Sequence, residues 1–249
     1  MHRFIVTPSA LNQATLVLDA ADSHHAAVVL RVEPGEAVRL LDGRGGMADG
    51  RVLEVGKRAV VVEITGRRKA QPRIGEVILV AAVTKGKAWE LTLQKATELD
   101  VTGIVPVFCR RCVVKVDPAE RPRRQLDWQR TVNEAAKQCG TPWIPRVEAP
   151  VDLEEWLKPS SLLDLGLVAS LVPDSREVGE LLGAHADARR VGVVVGPEGD
   201  LEPGELQMLF DRGFLPVTLG PTILRAETAA LVSVALVAHE LRRRWGVAR

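Results

Sequence analysis

Short apolar runs that end at glycine-rich turns mark the last third of the chain. The run Val191–Val195 stops at the segment Gly196–Gly199, and the run Val217–Leu219 stops at Gly220–Pro221. A polar segment over residues 225–228 then opens a long apolar stretch. Buried parallel strands read as continuous apolar runs, and ligands bind outside the carboxyl ends of such strands. The pattern therefore predicts a ligand crevice at the carboxyl edge of a parallel sheet.

The middle of the chain carries a strand, a helix and a second strand in succession. Glu76–Val83 is a continuous apolar run, Lys87–Leu99 repeats apolar positions at helical spacing, and Ile104–Phe108 is again apolar. A unit of this kind spans about 30 residues and almost always crosses over right-handed. A second helix is predicted over Pro122–Gln138. The region from residue 71 onward is therefore predicted to be an α/β domain.

The first 70 residues follow a different pattern, in which short runs are separated by turn residues. The candidate strands are Arg3–Val6, Thr15–Leu18, Ala37–Leu41, Met47–Val55 and Ala59–Ile64. Such runs between turn signals are typical of a small β-barrel. The polar, basic segment Gly66–Pro72 is interpreted as a linker. The sequence thus predicts a β-barrel domain over residues 1–70 and an α/β domain over residues 71–249.

The composition indicates a soluble, folded protein of the cytoplasm. The chain has 249 residues, of which 46% are hydrophobic and 26% are charged. No apolar run approaches the ~20 residues that a membrane helix needs, and the first residues do not form a signal peptide. Three cysteines are too few for a disulfide framework, which favours a cytoplasmic location. Cys109 and Cys112 lack a second pair of ligands, so no metal site is predicted.

Basic residues concentrate in one region although the net charge is only +1. The segment from Arg110 to Arg146 holds several arginines and lysines but only four acidic residues, Asp117, Glu120, Asp127 and Glu134. A local excess of this kind can neutralise phosphates, although a solvated surface explains it as well. Aromatic residues make up only 4% and tyrosine is absent, which argues against a platform for stacking single-stranded bases.

The glycine-rich segments and the start of the last helix carry the candidate chemistry. Gly196 and Gly199 would let backbone N–H groups approach a ligand closely, although a plain turn would use glycines as well. Glu227 would lie in the first turn of a helix, where the partial positive charge of the helix stabilises a carboxylate. Arg225 would either act on a ligand or form a salt bridge with Glu227, and the sequence leaves both open.

Taken together, these segments resemble a known enzyme family. The stretches VVGPEG at residues 194–199 and LGPTILRAETAAL at residues 219–231 are similar to motifs of the SPOUT class of S-adenosylmethionine-dependent RNA methyltransferases. They look specifically like the RsmE family, which methylates N3 of a uridine in 16S ribosomal RNA of the small subunit. Supporting stretches are HRF at 2–4, KATEL at 95–99 and AAKQ at 135–138. The resemblance covers nearly the whole chain in order.

The resemblance implies a fold and a cofactor. Family members combine an N-terminal PUA-like β-barrel that binds RNA with a C-terminal SPOUT-type parallel sheet, whose last part forms a trefoil knot. S-adenosylmethionine is expected to bind between the loops that follow three strands of this sheet. The residues expected to hold it are Leu171, Gly196, Pro197, Glu198, Gly199, Leu219, Gly220, Ile223 and Leu224.

Catalytic roles and partners follow from the same resemblance. Loss of the N3 proton leaves negative charge on the uracil ring, and a fixed guanidinium is suited to stabilising it. Arg225 is the hypothesis for this role, with Glu227 orienting it or accepting the proton through water. The expected partners are 16S ribosomal RNA or the small ribosomal subunit, and a second copy of the chain in a homodimer, with no membrane. The arginines expected to contact RNA are Arg3, Arg31, Arg110, Arg111, Arg123 and Arg124.

Departures from the family's pattern keep other functions open. Asp200 and Glu202 stand where the family usually has Gly and Ser, Thr222 stands where Arg is common, and Lys137 and Thr141 lie in another altered motif. One alternative is a related SPOUT methyltransferase acting on transfer RNA or on a ribose hydroxyl. Another is a non-catalytic RNA-binding ribosome assembly factor. A dinucleotide-dependent oxidoreductase is disfavoured, because no GxGxxG follows the first strand of the α/β domain.

Overall fold

The computed structural model describes residues 1–56, 59–158 and 163–245, which divide into two compact units. The first unit comprises Met1–Pro72 and Ala136–Ile144. The second comprises Arg73–Ala135 and the described residues from Pro145 onward. A short segment from the middle of the chain thus belongs to the N-terminal unit, although it lies far from that unit's other residues in the sequence.

The first unit is a five-stranded sheet with short helical turns. Its strands are β1 (His2–Ile5), β2 (Thr15–Val17), β3 (Ala37–Leu41), β4 (Gly46–Val55) and β5 (Val60–Lys69). Their order is β1-β3-β4-β5-β2, with β1 and β3 parallel and the other pairs antiparallel. The helical turns are Ala10–Asn12, α1 (Ala20–His24) and the π-helical turn His25–Leu30. All five predicted strands of this unit are confirmed.

Alternating side chains build the core of the first unit. Along β3 and β5, for example, Val38, Leu40, Val60 and Val62 are fully buried. This alternation is the period-two pattern that fixes which face of a strand is buried. The linker interpretation of Gly66–Pro72 is wrong in its first half, because β5 continues to Lys69 with residues 66–69 paired to β4. Their polar side chains are largely exposed, so their composition resembles that of a linker.

The second unit is built on an eight-stranded parallel sheet. Its strands are β6 (Glu76–Ala82), β7 (Gly103–Phe108), β8 (Arg146–Val147), β9 (Val151–Asp152), β10 (Leu165–Ala169), β11 (Arg176–Glu177), β12 (Arg190–Val195) and β13 (Leu215–Thr218). The order is β11-β13-β10-β12-β6-β7-β8, and β9 also pairs with β7. Every one of these pairs is parallel. The α/β fold prediction is confirmed, and the trefoil knot stays a prediction.

Helices accompany this sheet and enclose its core. They are α2 (Lys87–Glu98), α3 (Arg121–Cys139), α4 (Leu153–Trp156), α5 (Val178–Ala184), α6 (Pro203–Asp211) and α7 (Ala226–Trp245), with a 3-10 turn at Pro118–Glu120. Four of the five residues of Val191–Val195 are valines and all five are buried, as a central parallel strand requires. None of the helices in the described residues is long and apolar enough to cross a membrane.

The strand–helix–strand prediction is confirmed within a residue or two. It covers β6, α2 and β7, and α2 buries Trp89, Leu93 and Ala96 on one face. Asp100, just past the end of α2, has a φ of 74°. This left-handed conformation ends helices and is tolerated by Asp better than by most residues.

Candidate functional site

Three neighbouring strands of the second unit end beside one cavity. β13, β10 and β12 are adjacent in the sheet and parallel, so the loops that follow them leave from the same edge. These loops and the start of α7 enclose a cavity of about 460 Å³. This volume lies within the range of small-molecule sites, about 300–1,000 Å³. The ligand crevice predicted at the carboxyl edge of the sheet is therefore present.

Most of the residues predicted to bind a cofactor line this cavity. Those that do are Leu171, Gly196, Pro197, Glu198, Leu219, Gly220, Ile223 and Leu224, together with Arg225 and Glu227. Gly199 lies in the same loop as Gly196 but is not among the lining residues, and its carbonyl instead accepts a hydrogen bond from Arg111 at 3.0 Å. Further lining residues that the sequence analysis did not select are Ala88, Ala169, Ser170, Val195, Asp200, Val217, Thr222, Ala226 and Ala229.

The loop after β12 is held by its own backbone and by the helix that follows. Asp200 has a φ of 62°, a left-handed conformation that glycine would adopt more readily, and its N–H donates to the Pro197 carbonyl. Helix α6 then begins with Pro203 at its first position and Glu205 as the inner half of a capping box. Glu202, the N-cap residue, is the outer member of this capping box.

The loop after β13 presents apolar side chains and a glycine in a conformation that other residues rarely adopt. Gly220 has a φ of 120°, where any other residue would be strained. Ile223 is 83% exposed, and across the cavity Leu171 is 65% exposed. Both line the cavity, so its wall includes apolar surface that a bound ligand would cover.

Arg225 and Glu227 lie on the cavity wall at the start of α7. The Arg225 carbonyl accepts the first hydrogen bond of the helix, from Ala229 N–H at 2.8 Å. The guanidinium of Arg225 is exposed and has no hydrogen bond or ion pair with any described residue. The salt-bridge alternative for Arg225 and Glu227 is therefore wrong for this conformation. Glu227 lies in the first helical turn, where the helix dipole favours its negative charge.

The turn Cys109–Cys112 follows β7 and lies against the loop after β12. Both cysteines are buried, and Cys109 N–H donates to Cys112 Sγ at 3.2 Å. The hydrogen bond from the Cys109 thiol lowers the pKa of Cys112, and the same bond raises the pKa of Cys109. Among the described residues, no group of three or more metal-binding side chains forms. The two cysteines therefore interact with each other inside the turn, and they belong to no metal-binding group of the described residues.

The arginines predicted to contact RNA differ in their surroundings. Within the first unit, Arg3 donates from Nη1 to the carbonyls of Lys137 and Gln138, at 3.0 and 2.8 Å, and so caps the end of α3. Arg110 forms an ion pair with Glu154 at 2.8 Å. Arg31, Arg123 and Arg124 are exposed and have no ion pair or side-chain hydrogen bond with the described part of the chain.

Comparison with known protein families matches both units of the chain. A family model described as an RNA methyltransferase domain matches residues 70–238. A second model, described as an RNA methyltransferase PUA domain, matches residues 18–65. The first match spans the cavity and all of its lining residues.

Individual relatives match over almost the full chain. The ribosomal RNA small subunit methyltransferase E of Synechocystis sp. is 30% identical, covering 95% of this chain and 77% of that protein. The protein of the same name from Mycobacterium bovis is 32% identical, covering 93% and 88%. A solved ribosomal RNA small subunit methyltransferase E from Neisseria gonorrhoeae, bound to S-adenosyl methionine, is 30% identical. Its TM-score is 0.84, and the match covers 94% of this chain and 95% of that one.

Proposed function

The chain belongs to the family of ribosomal RNA small subunit methyltransferase E, and we propose that it transfers a methyl group from S-adenosylmethionine to N3 of a uridine in 16S ribosomal RNA. One observation carries this proposal. The cavity at the ends of β10, β12 and β13 is lined by Arg225, whose guanidinium pairs with no described residue.

The cavity fits S-adenosylmethionine in size and chemistry. Its volume of about 460 Å³ suits a nucleoside cofactor. Leu171 and Ile223 offer uncovered apolar surface for a flat base, and the glycines at 196 and 220 bring backbone groups to the cavity without side chains in the way. We assign cofactor binding to the lining residues Leu171, Gly196, Pro197, Glu198, Leu219, Gly220, Ile223 and Leu224. Gly199 belongs to the same loop as Gly196, but it does not line the cavity and is not assigned to cofactor binding.

Arg225 is proposed to stabilise the uracil anion. When bound, S-adenosylmethionine supplies an electrophilic methyl group on a sulfonium. Uridine N3 must lose its proton before or while it gains that methyl group, and the ring then carries negative charge on its carbonyl oxygens. A guanidinium donates two parallel N–H bonds and stays protonated, so it fits such oxygens well. Because no group of the described residues occupies the Arg225 guanidinium, its donors are available to an acceptor base.

Glu227 is proposed to act beside Arg225. It is partly buried on the same wall of the cavity. A carboxylate there would orient the guanidinium once the base is bound, or accept the N3 proton through a water molecule. Proton transfer by a positioned side chain is worth roughly 10²–10⁴ in rate.

RNA binding is proposed to rest on exposed arginines of both units. Arg123 and Arg124 at the start of α3, and Arg31 in the first unit, have no partner among the described residues and are available to phosphates. Arg3 and Arg110 would have to exchange protein contacts for RNA contacts. We also propose that the protein acts in the cytoplasm as a homodimer on 16S ribosomal RNA or the small subunit.

The experiment that tests the proposal identifies the methylated nucleoside. Small ribosomal subunits lacking the modification are incubated with the protein and labelled S-adenosylmethionine, and the RNA is digested for mass spectrometry. We expect 3-methyluridine in 16S ribosomal RNA at one position. Label on a ribose hydroxyl or only on transfer RNA would favour the related methyltransferases. Absence of any transfer would favour the assembly factor.

A further inference from the structure

A closed turn at the end of β7 contacts the loop that we assign to cofactor binding. In this turn, Cys112 N–H donates to the Cys109 carbonyl at 3.0 Å, and Cys109 N–H donates to Cys112 Sγ at 3.2 Å. Both cysteines are buried, which leaves the two arginines between them to point outward. The turn is thus closed by two hydrogen bonds of its own, and its outer residue Arg111 contacts the loop after β12.

Arg111 connects this turn to Gly199. Its Nη1 donates to the Gly199 carbonyl at 3.0 Å, and its Nε lies 3.9 Å from the carboxylate of Glu202. A Cβ placed on Gly199 would lie 3.3 Å from the Arg111 Cβ, so the two backbones approach closely. The side chain therefore spans the gap between the turn and the far end of the segment Gly196–Gly199.

Glu205 makes a second connection from inside the protein. It is only 2% exposed. Its Oε1 accepts from Arg110 N–H and its Oε2 accepts from Glu202 N–H, each at 2.9 Å. A buried carboxylate is costly unless it is hydrogen-bonded, and both of its oxygens are used here. One side chain thus joins the turn after β7 to the start of the helix that follows the cofactor loop.

We infer that Arg111 and Glu205 are positioning residues for cofactor binding, which fix the segment Gly196–Gly199 against the turn Cys109–Cys112. Neither is among the described residues that line the cavity, so they act through the loop. The inference rests on the proposed function, since it concerns the affinity of the cavity for S-adenosylmethionine. It gives Arg111 a role different from the phosphate contact that its charge predicts.

Arg110 provides the matched control for Arg111. The two arginines are adjacent in the same turn and carry the same charge. The Arg110 side chain is 62% exposed and pairs with Glu154 at 2.8 Å. Both arginines also approach Glu202, Arg110 Nε at 3.8 Å and Arg111 Nε at 3.9 Å, so the difference between them is the hydrogen bond to Gly199, which Arg110 does not make in the described residues. If the two arginines bound phosphates, replacing either of them would lower the affinity for RNA. If Arg111 positions the cofactor loop, replacing Arg111, but not Arg110, lowers the affinity for S-adenosylmethionine measured without RNA.

The test measures S-adenosylmethionine affinity by calorimetry without RNA, in the wild type and in the variants Arg111→Met, Arg110→Met and Glu205→Gln. Methionine keeps most of the aliphatic stem of Arg111 but removes the donor. Loss of this hydrogen bond, worth about 1 kcal/mol, is expected to weaken binding about fivefold. Glu205→Gln replaces one acceptor by an NH₂ group facing a backbone N–H, and a loss of about tenfold is expected. Arg110→Met is expected to stay within about twofold of the wild type.

Activity measurements separate positioning from general damage. With Arg111→Met, KM for S-adenosylmethionine is expected to rise while kcat at saturating cofactor changes little, and Arg111→Lys is expected to recover part of the affinity. Wild-type affinity in Arg111→Met, or an equal loss in Arg110→Met, would overturn the inference even if Glu205→Gln fails to fold. Failure of the wild type itself to bind S-adenosylmethionine would instead count against the proposed function.

Discussion

At the scale of single residues, the site depends on which charged groups are already paired. Arg225, on the cavity wall, pairs with no described residue, whereas Arg110 and Arg111 are tied to carboxylates and to a backbone carbonyl. A free guanidinium costs little to redirect toward a substrate. A paired one must first give up its existing contacts. This difference in pairing between Arg225 and the arginines of the turn is not visible in the sequence.

Replacing Arg225 tests its proposed role in catalysis. Arg225→Ala is expected to bind S-adenosylmethionine with wild-type affinity but to lose about 10²–10³ in kcat, because a donor aimed at developing negative charge is worth roughly 3–4 kcal/mol. Single-turnover methyl transfer to small subunits, with calorimetry for cofactor binding, makes the measurement. Arg243→Ala, which removes an exposed arginine near the other end of α7, is the control and should retain full activity. Full activity of Arg225→Ala would remove the assignment.

The residue scale is also where sequence reasoning is least complete. Arg225, Glu227 and eight of the nine predicted cofactor residues lie at the cavity, because they belong to two short contiguous segments and one loop. Arg3, by contrast, caps a helix whose end lies more than 130 residues away in the chain. Ala88 lines the cavity from α2, and no local pattern indicates that. Contacts between residues so far apart in the chain depend on the topology of the fold, which local sequence patterns do not show.

At the scale of elements, the loops determine the shape of the cavity. Gly220 adopts a φ of 120°, and a Cβ at this position would meet no atom within 4 Å, so only the backbone conformation demands glycine. The loop after β12 contributes a second left-handed residue, Asp200. Two loops in unusual conformations thus meet at the cavity, and the one after β12 leaves a strand whose last five residues are fully buried.

Gly220→Ala is expected to weaken cofactor binding through backbone strain. The left-handed region costs a residue with a Cβ about 1–2 kcal/mol, which corresponds to a loss of about tenfold in S-adenosylmethionine affinity. Gly204→Ala is the matched control, since it also has no atom within 4 Å but lies in helix α6 with no positive φ. That control should bind normally and be slightly more stable. Equal affinities of the two variants for the cofactor would refute the strain argument.

Asp164 is expected to make strand pairing at β12 depend on pH. Its carboxylate accepts the N–H groups of Arg190 and Arg189 at 2.7 and 2.9 Å, and these bonds lower its pKa. A lowered folded pKa means that the stabilisation is present above the unfolded value of about 3.9 and is lost as pH falls through the folded value. The carboxylate lies near the surface, where solvent screens its charge. We therefore expect it to contribute about 1 kcal/mol or less to the free energy of unfolding.

Urea unfolding of the wild type and Asp164→Asn between pH 7 and pH 3 measures this contribution. The stability difference between the two proteins should be constant near neutral pH and shrink below about pH 4. A difference that stays the same down to pH 3 would show that the carboxylate charge contributes nothing.

The elements themselves are mostly predictable from the sequence. Continuous apolar runs indicate β6, β7 and β12, because strands buried on both faces are apolar throughout, and helical spacing indicates α2 and α3, because helices are buried on one face. The two-residue strands β8, β9 and β11 are too short to carry any period. The end of β5 resembles a linker in sequence because its side chains are polar and largely exposed.

At the scale of the whole molecule, the order of strands brings the site together. β10, β12 and β13 are each separated from the next by a helix in the sequence and become neighbours only in the sheet. Local patterns predict that strands exist but carry no information on their order. The apolar runs and their turns predict a crevice at the ends of β12 and β13, and the resemblance to a known family adds the loop after β10. Residues 136–144 belong to the first unit although they come from the middle of the chain, and no sequence pattern predicts this assignment.

RNA affinity is expected to fall steeply with salt, and two arginines should account for part of the slope. Removing both phosphate contacts in the double variant Arg123→Ala, Arg124→Ala should reduce the slope of log affinity against log salt by about 1.5. Filter binding of 16S ribosomal RNA at several salt concentrations measures it. Arg146→Ala, an exposed arginine paired with Glu148, is expected to leave the slope nearly unchanged. A slope identical to that of the wild type in the double variant would remove Arg123 and Arg124 from the RNA interface.

The most direct test is a crystal structure of the protein grown with S-adenosylmethionine. The account predicts the nucleoside between the loops that follow β10, β12 and β13, with its base against Leu171 and Ile223 and its methyl group on the side of Arg225. Electron density for the nucleoside at any other place, or a cavity that stays empty at saturating ligand, would contradict it.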